Sequence, residues 1–195
     1  MPFDAPSETP PAVAPFIGAD VAAILRERGW LEASHDISAD AAVAKWCARA
    51  ADLLAPHSAD RAALVESLAL VFAYDAQALA GDPANQAVLA REGARDVIRE
   101  LANRVLPDPL PADPPTATRE LDSDRLKEII DGMKAALPYR GRELFFPIRL
   151  ALAGRVGDGE LDRVILLLDP AAVLDFAVPV KGARRRMLEF CAAFD

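Results

Sequence analysis

The chain has 195 residues, 52% of them hydrophobic, and a formal net charge of −8 at neutral pH. This composition allows a substantial hydrophobic core and argues against disorder over most of the chain. The acidic balance argues against a strong, non-specific nucleic-acid binder, because such proteins need a basic face that displaces counterions. The charge is uneven: residues 139–195 carry 9 Lys or Arg against 8 Asp or Glu, and residues 1–138 carry the remaining 13 against 22.

The first half of the chain predicts a flexible lead followed by a helical subdomain. Residues 1–16 contain five prolines, which remove hydrogen-bond donors and block helix. Residues 17–106 then show apolar residues at helical spacing, frequent alanine and few β-branched residues. Ser38 and Ser58 are the expected N-caps of the second and third helices. The predicted helices run from about 19 to 28, from 39 to 55 and from 58 to 79, with one or two more after Pro83 that break at Gly93.

The second half predicts a linker and another helical subdomain. Residues 107–118 read PDPLPADPPTAT, a composition typical of a semi-rigid connector, and we place the linker at 107–120. Residues 121–195 follow as the second unit, with no alternation long enough to predict a strand. Its helices are expected to start after an N-cap at Asp122 or Ser123, at Pro147, after an N-cap at Asp158, at Pro170 and after Pro179, and Gly154 is expected to end the second of them. We therefore predict an all-α fold of two helical subdomains.

Cysteine and histidine residues do not indicate a metal site. Cys47 and Cys191 are far apart and in no Cys-x-x-Cys spacing, and His35 and His57 form neither His-x-x-x-His nor HExxH. We expect no metal and no cofactor. No apolar run reaches roughly 18 residues, and the N-terminus lacks the basic and apolar regions of a signal peptide. We expect a cytoplasmic protein that does not enter a membrane.

Four cations near the C-terminus form the densest basic run of the chain: Lys181, Arg184, Arg185 and Arg186. They are candidates for phosphate contacts. The alternative is an ordinary solvated face near the start of the last helix. The chain contains no GxxxxGK[ST], GxGxxG or GxSxG motif, so we assign no catalytic residue and do not expect an enzyme.

One stretch carries a resemblance to a known family. Residues 141–155 read GRELFFPIRLALAGR, with Glu160-Leu161 and Leu167-Leu168-Asp169 following. This resembles the C-terminal anticodon-binding region of bacterial glutamyl-tRNA synthetases, which runs close to G-x-x-L-F-x-P-L-R-x-A-L-T-G-R, then Gly-Pro-x-Leu and an apolar helix. The resemblance covers most of residues 17–190 and is most specific over 141–174.

The resemblance implies a pair of all-helical, cage-like subdomains that approach the tRNA anticodon. By position, it assigns base contacts to Arg149 and to the turn formed by Asp158 and Gly159, followed by Leu161. A guanidinium group suits this role because splayed bases are read by stacking and by hydrogen bonds to their edges. Arg142 and Arg155 are further candidate contacts. If these arginines serve RNA binding, Arg142, Arg149 and Arg155 should share an exposed face, whereas an Arg149 buried in an ion pair would be structural.

The chain lacks the HIGH-like and KMSKS-like motifs of the synthetase catalytic domain. It is therefore not expected to activate glutamate by itself, and three hypotheses remain. The first is a tRNA-binding module associated with translation. The second is an inherited fold that serves protein interaction through its acidic N-terminal subdomain and no longer binds tRNA. The third is the C-terminal part of a split synthetase, with aminoacyl-tRNA ligase activity only beside a separate catalytic chain.

Overall fold

The computed structural model describes residues 16–106 and 120–194. Within these ranges the chain forms ten α-helices and no strand, which confirms the predicted all-α fold. A single 3-10 turn at Ala55–His57 follows the second helix. The helices are α1 (Gly18–Glu27), α2 (Ala41–Leu54), α3 (Arg61–Phe72), α4 (Ala76–Gly81), α5 (Pro83–Leu89), α6 (Ala94–Val105), α7 (Ser123–Ala136), α8 (Arg142–Ala153), α9 (Glu160–Ala172) and α10 (Ala183–Phe194).

Aspartate, rather than serine, caps the N-termini of five of the ten described helices. The side chains of Asp40, Asp60, Asp75, Asp82 and Asp122 accept backbone N–H groups of the first turns of α2, α3, α4, α5 and α7. The predicted cap at Asp122 is confirmed, and those at Ser38 and Ser58 are wrong. Ser58 instead donates its hydroxyl to the Leu54 carbonyl at 2.9 Å. The helix expected over 58–79 is two helices, since the Asp75 carboxylate starts α4 anew.

Two prolines lie inside helices instead of at their beginnings. Pro147 is the sixth residue of α8, and Pro170 lies near the end of α9. Helix α8 begins a turn earlier than predicted because Leu144, fully buried, extends its apolar face toward the N-terminus. A helix can include a proline at the loss of one backbone hydrogen bond when packing supports the turn on either side. The predicted end is confirmed: Gly154 takes a φ of 78°, which favours glycine, and α8 stops at Ala153.

Helices from both sides of the proline-rich segment share one hydrophobic core. Helices α2 and α3 pack on α9, α6 packs on α8, and α4 packs on α10. One continuous cluster of buried residues extends from Val21 to Phe190. The two expected subdomains thus have a core in common rather than one each. The predicted lead and linker lie outside the described residues, apart from Phe16 and Glu120.

Four aromatic side chains lie where the two halves meet. Trp30 stacks on Phe72 with ring centroids 4.8 Å apart. Trp46 and Phe72 each meet Phe176 edge-on, with centroids 5.2 Å apart in both pairs. The indole N–H of Trp46 donates to the Leu167 carbonyl on α9 at 3.1 Å. The aromatic cluster of Trp30, Trp46, Phe72 and Phe176 therefore fixes the first half against the second.

The Asp169 carboxylate joins three parts of the second half. From its place on α9, Oδ1 accepts the backbone N–H of Ala183 at 2.7 Å, at the start of α10. Oδ2 accepts the backbone N–H of Leu121 at 2.8 Å, just before α7. One side chain on α9 thus serves as a tertiary cap for α10 and holds the chain that enters α7.

We expect Asp169→Ala to lower the free energy of unfolding by about 2 kcal/mol, because two backbone N–H groups lose their acceptor. Urea denaturation followed by circular dichroism measures this change. Asp175→Ala is the matched control, since Asp175 is exposed and should change stability by less than about 0.5 kcal/mol. Equal effects of the two substitutions would show that the Asp169 hydrogen bonds do not stabilise the fold.

Candidate nucleic-acid interface

Arg149 is buried at the junction of α8, α9 and the turn between them, with 7% of its surface exposed. Its Nε and Nη2 donate to Oδ1 and Oδ2 of Asp162 at 2.8 and 3.0 Å. Its Nη1 donates to the Gly157 carbonyl at 2.9 Å. The guanidinium carbon lies 4.8 Å from the centre of the Phe145 ring, one helical turn earlier on α8. The cation therefore ties α8 both to the first turn of α9 and to the connecting turn.

This geometry corrects the expectation that Arg149 contacts a base from an exposed face. Its guanidinium group is covered and ion-paired, so its role in this structure is to brace the turn. The reason is the position of Asp162, in the first turn of α9, directly opposite Arg149 on α8. Sequence reasoning missed Asp162, because an acidic residue in the first turn of a helix is too common to identify its partner.

The turn itself, residues 154–159, is exposed at Arg155, Asp158 and Gly159. Leu161 is only 1% exposed and belongs to the core, so the prediction that it contacts tRNA is wrong. Asp158 is not the N-cap either. Gly159 holds that position without a side-chain cap, and the Asp158 carbonyl accepts the Leu161 N–H at 3.2 Å. The exposed part of the predicted site is therefore the turn around Arg155, Asp158 and Gly159.

Arg142 and Arg155 lie at opposite ends of α8. Arg142 is the first residue of this 12-residue helix, and Arg155 follows its C-terminal glycine. A helix of that length spans about 18 Å. Both side chains are exposed, and the Arg142 guanidinium carbon lies 5.8 Å from the centre of the Phe146 ring. With Arg149 buried between them, the three arginines do not form the single exposed face that was expected.

The basic run near the C-terminus does not form a free cationic patch. Arg186 is fully buried. Its guanidinium donates to the carbonyls of Leu70, Val71, Leu152 and Lys181 at 2.6 to 2.9 Å. The first three lie in the last turns of α3 and α8, where carbonyls have no partner within the helix. The expected phosphate contact of Arg186 is wrong, because helical periodicity places this residue on the buried face of α10.

The neighbours of Arg186 are also engaged. Lys181 and Arg185 both donate to the Glu189 carboxylate, each at 2.7 Å. The hydrogen bond from Lys181 is the main reason that the pKa of Glu189 lies below its usual value. Arg184 is half-buried and has an interaction partner. Of the four predicted phosphate contacts, Arg186 is thus buried, Lys181 and Arg185 share the Glu189 carboxylate, and Arg184 also has a partner.

Tyr74 completes this internal site and was not singled out from the sequence. Its ring lies 4.5 Å from the Arg186 guanidinium carbon, and its hydroxyl donates to the Ala151 carbonyl at 2.6 Å. Burial raises the pKa of the Tyr74 hydroxyl, so it remains a donor at neutral pH. Burial lowers the pKa of Arg186 to about 10, which leaves its guanidinium group charged at neutral pH.

The described residues show no metal site, no reactive thiol at Cys47 and no membrane-spanning helix. No group of three His, Cys, Asp or Glu side chains among them could hold a metal ion. Cys47 is buried, and burial raises the pKa of its thiol to about 11, so the thiolate is rare at neutral pH. Among the described helices, none combines the length and the apolar character needed to cross a membrane.

The chain matches no protein-family profile, no curated protein and no solved structure among those compared. The resemblance to the synthetase region accordingly depends on the residues quoted for it, chiefly residues 141–174.

Proposed function

We propose that the chain is a tRNA-binding module, related to the anticodon-binding region of bacterial glutamyl-tRNA synthetases, that contacts RNA through the α8–α9 turn. One observation carries the proposal. The part of the sequence that resembles the family forms an exposed turn that a buried cation braces from beneath. The sequence contains no HIGH-like or KMSKS-like motif, and aminoacylation is not proposed for these residues.

A braced turn suits the recognition of single-stranded RNA. Splayed bases are read by hydrogen bonds to their edges, and such bonds favour a surface that is already in its binding conformation. Three hydrogen bonds from Arg149 hold Gly157 and Asp162, on either side of the exposed Asp158 and Gly159. The turn can therefore present backbone groups and the Arg155 side chain without first becoming ordered.

The local charges indicate base contacts more than phosphate contacts. Arg155 is exposed at the turn, but the carboxylates of Asp158 and Glu160 are exposed beside it. With about two phosphate contacts, from Arg155 and Arg142, the logarithm of the affinity should fall with a slope of about −1.4 against the logarithm of salt concentration. That slope corresponds to about a sevenfold loss of affinity between about 50 and about 200 mM salt.

Filter-binding titrations with unfractionated tRNA at these two salt concentrations test the proposal. We expect saturable binding with the shallow salt dependence given above, and a roughly fivefold loss of affinity in Arg155→Ala. Arg28→Ala is the matched control, because it removes an exposed arginine at the end of α1 and should leave affinity unchanged. Absence of binding at the lower salt concentration, or equal losses in the two variants, would refute binding through this turn.

A second candidate function, protein interaction, is favoured by the use of cations inside the protein. Arg149 and Arg186 are buried against a carboxylate and backbone carbonyls, the more exposed Lys181 and Arg185 are paired with Glu189, and the chain retains a net charge of −8. An acidic surface over the N-terminal half suits a basic protein partner, which in a split synthetase would be the catalytic chain. Failure of the wild-type chain to bind tRNA at low salt would favour this function.

A further inference from the structure

The carboxylate of Asp162 occupies the edge of Arg149 that a bidentate RNA contact would use. Nε and Nη2 form the edge of a guanidinium group that can bind two oxygens side by side, whether of a carboxylate or of a phosphate. Both Asp162 oxygens already accept from this edge, at 2.8 and 3.0 Å. The opposite charges also cancel, so the pair offers little net attraction to a phosphate group.

The paired edge nevertheless lies close to solvent. The Asp162 side chain is 32% exposed, whereas that of Arg149 is 9% exposed. A Cβ atom placed on Gly159 would lie 3.8 Å from Arg149 Nη2, so the guanidinium lies directly beneath the exposed turn. The Phe145 ring covers one face of the guanidinium, and the Gly157 carbonyl holds Nη1. Asp162 is therefore the group that stands between the Nε–Nη2 edge of Arg149 and an approaching anion.

We infer that Asp162 is the specificity-determining residue of the α8–α9 turn. By holding Arg149, it withholds this cation from phosphate groups, so that the turn binds base edges through its backbone groups and has only Arg155 to bind a phosphate. This inference rests on the proposed function, since it concerns which part of an RNA the turn accepts. It assigns Asp162 a positioning role through Arg149 and no direct contact with RNA.

Asp162→Asn tests the inference, because asparagine keeps one oxygen acceptor for Arg149 and removes the charge. We expect the affinity for unfractionated tRNA to rise about tenfold and the salt slope to steepen by about 0.7, as one more phosphate is contacted. Asp175→Asn is the matched control: it makes the same charge change at an exposed site beyond the C-terminal end of α9, away from the turn, and leaves the ion pair intact. We expect it to raise affinity no more than about twofold, with an unchanged slope.

Arg149→Met in the Asp162→Asn background should abolish the gain, since the gain depends on the released guanidinium. The Nε–H NMR signal of Arg149 supplies a measurement on the wild-type chain itself. Inorganic phosphate should shift the Arg155 signal and leave the Arg149 signal in place, whereas in Asp162→Asn both signals should shift. Thermal unfolding followed by circular dichroism identifies any variant that does not fold, and the wild-type NMR titration decides the question in that case.

The outcomes separate this inference from the proposed function. Tight, salt-sensitive binding by Asp162→Asn alone would support the role of Asp162 and refute tRNA binding by the natural chain. Binding by the wild type, with no greater gain in Asp162→Asn than in Asp175→Asn, would overturn the inference and leave the proposed function standing. A phosphate-induced shift of the wild-type Arg149 signal parallel to that of Arg155 would also overturn it.

Discussion

Replacement of Arg186 by methionine is expected to lower the free energy of unfolding by about 4 kcal/mol. The guanidinium group is fully buried and donates to four backbone carbonyls. Methionine fills much of the same volume, but it leaves the terminal carbonyls of α3 and α8 without donors around a fully buried side chain. Each unsatisfied buried acceptor costs on the order of 1–3 kcal/mol. Urea denaturation of the wild type and the variant measures the difference.

Arg185→Met is the control, since the two residues are neighbours of identical chemistry. The Arg185 side chain is 68% exposed and pairs with Glu189. Surface pairs of this kind contribute about 0–1 kcal/mol, so the control should remain close to the wild type in stability. Similar losses in both variants would contradict the internal role of Arg186.

Phe176→Ala should lower the free energy of unfolding by about 3.5 kcal/mol. Both halves of the chain should still unfold in one transition. The Phe176 ring packs edge-on against Trp46 and Phe72, which come from the first half. Its removal leaves a cavity in the shared core instead of a defect confined to the second half. Unfolding monitored by tryptophan fluorescence and by far-ultraviolet circular dichroism should show the same shifted midpoint.

The probes are well placed for this test, because the only two tryptophans of the chain, Trp30 and Trp46, both lie in the first half. Leu188→Ala, at a site that is 44% exposed on α10, should leave the midpoint nearly unchanged. A fluorescence transition that stays at the wild-type midpoint in Phe176→Ala, while the circular dichroism transition moves, would show that the halves unfold independently.

Most helices of this fold could be predicted from local chemistry. The spacing of apolar residues identified α1, α2, α7 and α10, and the breaks at Gly93 and Gly154 follow from backbone conformations that favour glycine. Helix beginnings were less reliable near Pro147 and Pro170. Proline is favoured at the first turn but is tolerated inside a helix when burial on both sides supports it, and burial is a tertiary property.

The candidate site was located from the sequence, but the role of its main residue was not. The quoted stretch correctly identifies a turn with cations around it, between two apolar helices. Whether Arg149 faces solvent or Asp162 depends on how α8 packs against α9, which the resemblance does not specify. The same holds for Arg186, whose side chain is buried because α10 packs against α4 and α6.

By itself, the sequence of this protein determined the all-α class, most helix positions and the exposed turn at Arg155, because these depend on residues within a few positions of one another. Only the tertiary structure decided which cations are internal. The partners of a buried guanidinium are distant along the chain: Asp162 lies 13 residues from Arg149, and the Leu70 carbonyl lies 116 residues from Arg186. A charged side chain can be buried only when the folded chain brings such partners to it, and no local sequence pattern specifies those partners.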